Sequence, residues 1–212
     1  ILDFGEKGFP GILVETIAIF INNLAAPANT KVFSLTHRLH LTQPQAYIFD
    51  PELPYWIIYR NQLFDSVCRK LDFDVFEVFR DRQLTNKLLS SSGELRVLKS
   101  RNLSDDGKEI LDIPGYDSYI SYAAAKPLSV FQYLDASNVY LTPNMTYKPR
   151  MMKKPPHCVV NGSLAILIPK GGIVPTEKQL AYFSSEEYRA FYQIARNFQT
   201  RSLNVDACSV FF

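Results

Sequence analysis

Cysteine is scarce in this sequence and follows no metal-binding or disulfide pattern. The 212 residues include three cysteines, Cys68, Cys158 and Cys208, which lie far apart. An odd number of cysteines without a Cys-x-x-Cys pair argues against a structural zinc site and against a disulfide framework. We therefore expect reduced thiols and a cytoplasmic protein.

Long hydrophobic runs are also missing. The most apolar stretch, residues 12–21, contains Glu15 and Thr16 and has about half of the ~20 residues that a membrane-spanning helix needs. The sequence therefore predicts no membrane association. Because the chain begins at Ile1 without a methionine and stops within the apolar run Val210-Phe211-Phe212, we also expect it to be a piece of a larger protein.

Catalytic signatures are absent. The sequence contains no His-Glu-x-x-His, Gly-x-Ser-x-Gly or P-loop motif. His37 and His40 form a His-x-x-His pair without a third ligand, which favours a chance pair over a metal site. Asp72, Asp74 and Glu77 lie close together in and beside a predicted strand, but no lysine accompanies them at the spacing of a nuclease site, and a solvent-facing acidic edge is the better interpretation. We expect no catalytic residue and no metal ligand in this chain.

Charge is present, and it is strongly segregated. The net charge is +2, yet residues 80–108 carry seven Lys or Arg against four Asp or Glu, and residues 142–178 carry six against one. Acidic segments alternate with these basic blocks: residues 1–79 carry six basic against nine acidic residues, and residues 109–141 one against four. If folding brings the two basic blocks together, they form a positive surface suited to a polyanion.

The pattern of apolar residues predicts an α+β fold with a mixed, largely antiparallel, twisted sheet and short helices. Strands are predicted at residues 1–4, 12–21, 73–79, 95–103, 139–141 and 158–169, the last one interrupted at Asn161-Gly162. A helix is predicted within residues 61–71, and capping boxes predict further helix starts at Thr176 and Ser184. Residues 80–93 read as a loop or one short helix.

Both basic blocks combine cations with side chains that can read DNA. Arg and Lys match the paired acceptors of guanine, and Gln and Asn can bind an adenine edge with two hydrogen bonds. Prolines 143, 149, 155 and 156 favour an extended backbone, which lets a loop project into a groove. Asp81, between two arginines, is more simply a structural ion-pair partner. The candidate DNA-binding residues are Arg80, Arg82, Gln83, Asn86, Lys87, Lys99, Arg101, Asn102, Asn144, Thr146, Tyr147, Lys148, Arg150, Lys153 and Lys154.

As a whole, the chain resembles the C-terminal part of adenine-specific (N6) DNA methyltransferases of bacterial restriction–modification systems. The opening LDFGEKGFPGILVETIAIFI looks like the last two strands of their catalytic domain. The later segments VFRDRQLTNKLL, LRVLKSRNLSDDG, VYLTPNMTYKPR, VVNGSLAILIP and FYQIARNFQTRSLNVDACSVFF look like successive parts of their target recognition domain. LRVLKSRNLSDDGK is also similar to an element of Type I specificity subunits.

This resemblance implies a domain organisation and a cofactor for the parent protein. Residues 1–30 would be a two-stranded remnant of the α/β methyltransferase domain, and residues 31–212 would be the DNA target recognition domain. The parent enzyme would use S-adenosylmethionine and flip the target adenine out of the duplex into an upstream catalytic domain of the same chain. The Asn/Asp-Pro-Pro-Tyr motif of the family is missing here, where the nearest string is Lys154-Pro155-Pro156-His157. The chain itself should therefore bind no cofactor and transfer no methyl group.

Two other functions fit the same residues. A protein-interaction module could dock an acidic partner through the second basic block. An RNA-binding module is a third possibility, which the single aromatic in the basic loops, Tyr147, makes less favourable.

Overall fold

The structure is a computed structural model, and it describes residues 1–22, 28–198 and 203–204. The fold contains helices together with antiparallel and mixed sheets, as predicted for the α+β class. The chain divides into two compact units. The first comprises residues 1–71 and 190–202, and the second comprises residues 72–189 and 203–212.

The first unit contains a four-stranded sheet. Its strands are β1 (Leu2–Gly5), β2 (Thr16–Ala18), β3 (Asn29–Ser34) and β4 (Leu39–Pro44). Their order is β2-β1-β3-β4, with β1 parallel to β3 and the other pairs antiparallel. The strand predicted at residues 12–21 is therefore much shorter than expected. The boundary expected after residue 30 falls inside β3, which pairs with β1. Residues 23–27, which precede it, lie outside the described residues.

Two short helices complete the described N-terminal part of this unit, α1 (Gln45–Ile48) and α2 (Gln62–Cys68). The helix predicted within residues 61–71 is confirmed, and it begins where the Asn61 side chain accepts a hydrogen bond from the Phe64 amide. Phe64 and Val67 are fully buried, and the Phe64 ring stacks on Phe191 at 5.2 Å.

In the part of the second unit that the structure describes, there are nine strands in three sheets. They are β5 (Phe76–Phe79), β6 (Leu95–Leu98), β7 (Ser118–Ile120), β8 (Tyr140–Pro143), β9 (Met145–Thr146), β10 (Met152–Lys153), β11 (Cys158–Val160), β12 (Leu164–Pro169) and β13 (Leu203–Asn204). The sheet orders are β10-β8-β12-β5, β11-β6-β7 and β13-β9, and β6 with β11 is the parallel pair. The strands thus divide among several sheets, where the sequence suggested one.

The helices of the second unit are short. They are α3 (Tyr122–Ala125), α4 (Glu177–Tyr182), the start of α5 (Glu186–Ala195), and 3₁₀ turns at Asn86–Leu88, Ser100–Asn102, Ser129–Tyr133 and Lys170–Gly172. The capping box at Thr176 is confirmed. The next helix starts one residue later than predicted, because Ser185, rather than Ser184, accepts the Tyr188 amide.

The break in the long apolar stretch 158–169 has a structural consequence. Val159 and Val160 of β11 pair with β6, whereas Leu164 and Ala165 of β12 pair with β8. The Asn161-Gly162 interruption, predicted from sequence, is the point where the chain passes from one sheet to another. Fully buried Val97, Leu98, Ile120, Leu141 and Leu164 belong to the core that the two sheets share.

Candidate nucleic-acid interface

The basic loops of the second unit begin at one end of its sheets. Phe79 of β5 pairs with Ile166 of β12, and Pro143 of β8 pairs with Leu164 on the other side. Because both pairs are antiparallel, β5 and β8 end where β12 begins. The Asn161 amide also donates to the Leu98 carbonyl at 3.0 Å, so the ends of β6 and β11 meet there too. The loops that follow β5, β6 and β8 therefore start side by side.

A hydrogen bond joins the first basic block to the second. Arg80 donates from Nη1 to the Asn144 side-chain oxygen at 3.0 Å. Asn144 in turn donates from its backbone amide to Ser163 O at 2.9 Å, and the Ser163 hydroxyl accepts the Ser100 amide at 3.0 Å. Residues 80, 100 and 144, which are far apart in sequence, are thereby connected through the start of β12.

Glycine is required at the centre of this junction. A Cβ placed on Gly162 would lie 2.4 Å from the Asp81 carbonyl oxygen, far inside normal contact distance. Asp81 is buried, and its carboxylate accepts the amides of Gln83 at 3.3 Å and Leu84 at 2.8 Å. Asp81 thus shapes the loop that carries Arg82 by accepting hydrogen bonds from backbone amides. From the sequence, we expected it to form an ion pair with the neighbouring arginines instead.

The first block presents most of its predicted residues to solvent. Arg82, Asn86 and Lys87 are exposed. Gln83 is exposed as well, but its side-chain oxygen accepts the Ser129 amide at 2.7 Å and the Ser129 hydroxyl at 2.9 Å. Arg82, Asn86 and Lys87 are therefore predicted DNA contacts of residues 80–87 that are exposed and form none of the contacts made by Arg80 and Gln83.

An aromatic ring supports the cations that follow β6. The Lys99 ammonium lies 3.9 Å from the centre of the Tyr116 ring, and the Arg101 guanidinium lies 4.7 Å from the same centre. Lys99 also donates to Ser118 Oγ at 3.0 Å and to the Tyr116 carbonyl, and burial lowers its pKa. Arg101 is exposed, so the ring holds one face of its guanidinium while the other side remains open. Sequence reasoning missed Tyr116, which sits in an acidic segment and shows no local sign of contact with Lys99 or Arg101.

Three of the predicted DNA contacts are buried. Asn102 is fully buried and binds the Leu111 carbonyl at 3.1 Å and the Asp117 carboxylate at 2.7 Å. Arg150 is 7% exposed and donates to the carbonyls of Ser100 at 3.1 Å and Leu103 at 3.2 Å.

Lys154 is 3% exposed, and its ammonium donates to the Leu134 carbonyl at 2.8 Å and to the Pro155 carbonyl at 2.9 Å. Burial lowers the pKa of Lys154 and of Arg150. Asn102, Arg150 and Lys154 hold segments of the fold together, and none of the three is exposed at the surface. Their positions in a polar, proline-rich stretch or beside a turn gave no sign of this burial.

The loop after β8 is structured around its own backbone. The Thr146 hydroxyl accepts the Lys148 amide at 3.0 Å, Tyr147 is 52% exposed, and the Lys148 ammonium forms an ion pair with Asp105. This contact lowers the pKa of Asp105. Lys153, on β10, is exposed. The second basic block therefore offers less uncompensated charge than its sequence suggests.

The histidines and carboxylates set aside in the sequence have ordinary packing partners. The His40 ring stacks on Phe33 at 4.2 Å and the His37 ring meets Tyr59 edge-on at 5.8 Å. Asp74 pairs with Lys170 at 2.9 Å. Within residues 1–22, 28–198 and 203–204, no helix is long and apolar enough to cross a membrane.

Comparison with known proteins finds no matching family model and no matching curated protein.

Proposed function

We propose that this chain is the sequence-specific double-stranded DNA recognition module of a site-specific adenine N6 DNA methyltransferase from a restriction–modification system. The observation that supports the proposal best is the Arg80–Asn144 hydrogen bond of 3.0 Å. It joins loops of both basic blocks at one end of the second unit, where their polar side chains could contact the same duplex. Arginine, asparagine and lysine at this end are the residue types that read base edges and bind phosphates.

The exposed residues of the junction divide into two proposed roles. Arg82, Asn86 and Arg101 would contact base edges, because their side chains are exposed and carry the required donors and acceptors. Lys87 and Lys148 would contact phosphates, which suits a flexible ammonium. Arg80 would position the Asn144 loop, because its guanidinium is already bonded to Asn144.

The methyl-transfer chemistry would belong to the parent protein. S-adenosylmethionine and the flipped adenine would bind in a catalytic domain of the parent protein. Residues 1–30 do not separate as the end of such a domain, because β1 pairs with β3, which extends from Asn29 to Ser34. The residues nearest to the family's catalytic motif do not fit that role. Lys154 is buried against the Leu134 carbonyl, and His157 lies at the surface, with its Nδ1 3.0 Å from the Asp135 carboxylate. We therefore assign no cofactor contact to this chain.

The experiment that tests the proposal is selection of duplex DNA from a randomised pool by the purified chain. Enrichment of one sequence is the expected result, because base-edge contacts discriminate while phosphate contacts do not. Arg82→Ala should then cost about 1–3 kcal/mol on the enriched sequence and much less on random DNA. Arg69→Ala, which removes an exposed arginine of the first unit, is the control and should leave both affinities unchanged.

Other results of the same selection would count against the proposal. Preference for single-stranded RNA over duplex DNA would favour an RNA-binding module. Failure to retain any duplex at low salt, together with binding to an acidic protein, would favour the protein-interaction module. Equal losses for Arg82→Ala on enriched and random DNA would remove Arg82 from the base-reading residues.

A further inference from the structure

A groove with a volume of about 650 Å³ opens in the second unit, and its lining includes neither Arg80 nor Asn144. It lies between the turn at residues 106–108, strand β10 and helix α4. Apolar side chains of Met151, Met152 and Leu180 line part of it, and Met151 and Leu180 are buried. A volume of this size accommodates a small organic group or a short length of a larger ligand.

Three lysines reach this groove from its three sides. Lys108 comes from the turn, Lys153 from β10 and Lys178 from α4, and all three are exposed. Lys153 was among the sequence-predicted DNA contacts, whereas Lys108 and Lys178 were not. The groove is therefore a place where separate segments of the chain converge to present positive charge around an apolar floor.

The lysines of the second basic block that are neither buried nor ion-paired line this groove. The six cations of residues 142–178 are Lys148, Arg150, Lys153, Lys154, Lys170 and Lys178. Lys148 and Lys170 are ion-paired, and Arg150 and Lys154 are buried against backbone carbonyls. The two that remain, Lys153 and Lys178, have no ion-pair partner in the described part of the chain, and both line this groove.

Two carboxylates also line the groove, and at least one of them is engaged. The Asp106 carboxylate accepts the Ser104 hydroxyl at 2.6 Å and the Lys108 amide at 3.2 Å, and these contacts lower its pKa. The Lys108 ammonium lies 3.9 Å from the same carboxylate. Glu177 is the second carboxylate of the lining. Asp106 offsets Lys108, which leaves Lys153 and Lys178 against the single carboxylate of Glu177; three lysines minus two carboxylates give the lining a net charge of +1.

We propose that this groove binds the phosphate group of a nucleotide unit, with Lys153 and Lys178 as its phosphate ligands. A phosphate fits two ammonium groups that have no internal partner, and the sugar or base fits the apolar side of Met152 and Leu180. The nucleotide unit belongs either to a nucleic-acid strand or to a free mononucleotide. The nucleic-acid case rests on the proposed function and extends the DNA contact beyond the strand-end loops.

The test compares Lys153→Gln/Lys178→Gln with Lys170→Gln, which removes a lysine of the same block that is paired with Asp74 and lies outside the groove lining. On duplex DNA selected from the pool, two lost phosphate contacts should flatten the slope of log K against log salt by about 1.8, with the control slope unchanged. If the ligand is a free mononucleotide, the double variant should instead lose AMP binding in a calorimetric titration and keep its DNA slope. Either result supports the groove as a phosphate site.

Two results would overturn the proposal that this groove binds phosphate. One is an unchanged DNA slope in the double variant together with no detectable AMP binding by the unaltered protein. The other is displacement of AMP by polyglutamate with no effect of inorganic phosphate, which would identify an acidic peptide site. If the unaltered protein retains no duplex DNA at all, the proposed function fails, while the AMP titration still decides whether the groove binds phosphate.

Discussion

Gly162→Ala should disturb the junction that brings the basic loops together. The new methyl group would lie 2.4 Å from the Asp81 carbonyl oxygen, where ordinary van der Waals contact begins at 3.4 Å. Both groups belong to the backbone framework, so relief requires a backbone shift of about 1 Å. Overpacking of this kind costs about 1–3 kcal/mol. Urea unfolding should show this loss as a fall in midpoint of about 0.5–1.5 M, taking an m value of ~2 kcal/mol per M.

The same shift should weaken DNA recognition by more than the loss of stability explains. The Asp81 carbonyl that must move belongs to the residue before Arg82, a proposed base contact. Gly162 also precedes Ser163, which accepts the Asn144 amide, so the Arg80–Asn144 contact should shift as well. Base contacts tolerate displacements of about 0.5 Å. Under conditions where the variant is fully folded, loss of one base contact should lower affinity for the selected duplex about 5- to 150-fold, measured by fluorescence anisotropy.

Gly171→Ala provides the matched control at the opposite end of β12. Gly171 has φ +60°, and its Cβ would meet nothing within 4 Å. An alanine there is strained by about 1–2 kcal/mol without contacting the junction, so stability should fall while DNA affinity stays the same. Wild-type stability and wild-type affinity in Gly162→Ala would refute the reasoning. A destabilised variant with wild-type DNA affinity would separate the junction from DNA binding.

Three further outcomes follow from individual contacts. Lys154→Met should change the pH dependence of stability, because burial lowers the pKa of Lys154 in the folded protein. Between that lowered pKa and the ordinary value of 10.5, the unfolded chain binds more protons than the folded one. The stability of the wild type should therefore rise relative to that of the variant as pH rises through this window. Urea unfolding at several alkaline pH values measures the difference, and parallel curves would contradict it. Asp105→Asn should remove the carboxylate that competes with a DNA phosphate for Lys148, tighten DNA binding at low salt and steepen the slope of log K against log salt by at most about 0.9. If both affinity and slope are unchanged, Lys148 is not a phosphate contact. Thr176→Ala should remove the capping box of α4 and cost about 1 kcal/mol in urea unfolding, and a midpoint equal to wild type would mean that this cap contributes nothing.

Local features of the fold could be predicted from the sequence. The apolar spacing of α2, the capping box at Thr176 and the break at Asn161-Gly162 all appear in the structure. Each depends on residues a few positions apart, whose preferences for backbone conformation act before any distant contact forms. The extent of the strands was predicted less well. The apolar stretch 12–21 yields a strand of three residues, since a strand exists where a partner pairs with it.

For the candidate site, too, some properties could be predicted from the sequence and others were set by tertiary packing. Segregation of charge into two basic blocks is a property of the sequence alone, and so is the supply of residue types that can bind a polyanion. Which cations face solvent was decided by tertiary packing. Arg150 and Lys154 turn inward to backbone carbonyls, and Arg101 lies over Tyr116. Arg80 meets Asn144 across 64 positions of sequence. Such contacts depend on strand order and on the close approach at Gly162, and these are set by the packing of the whole core.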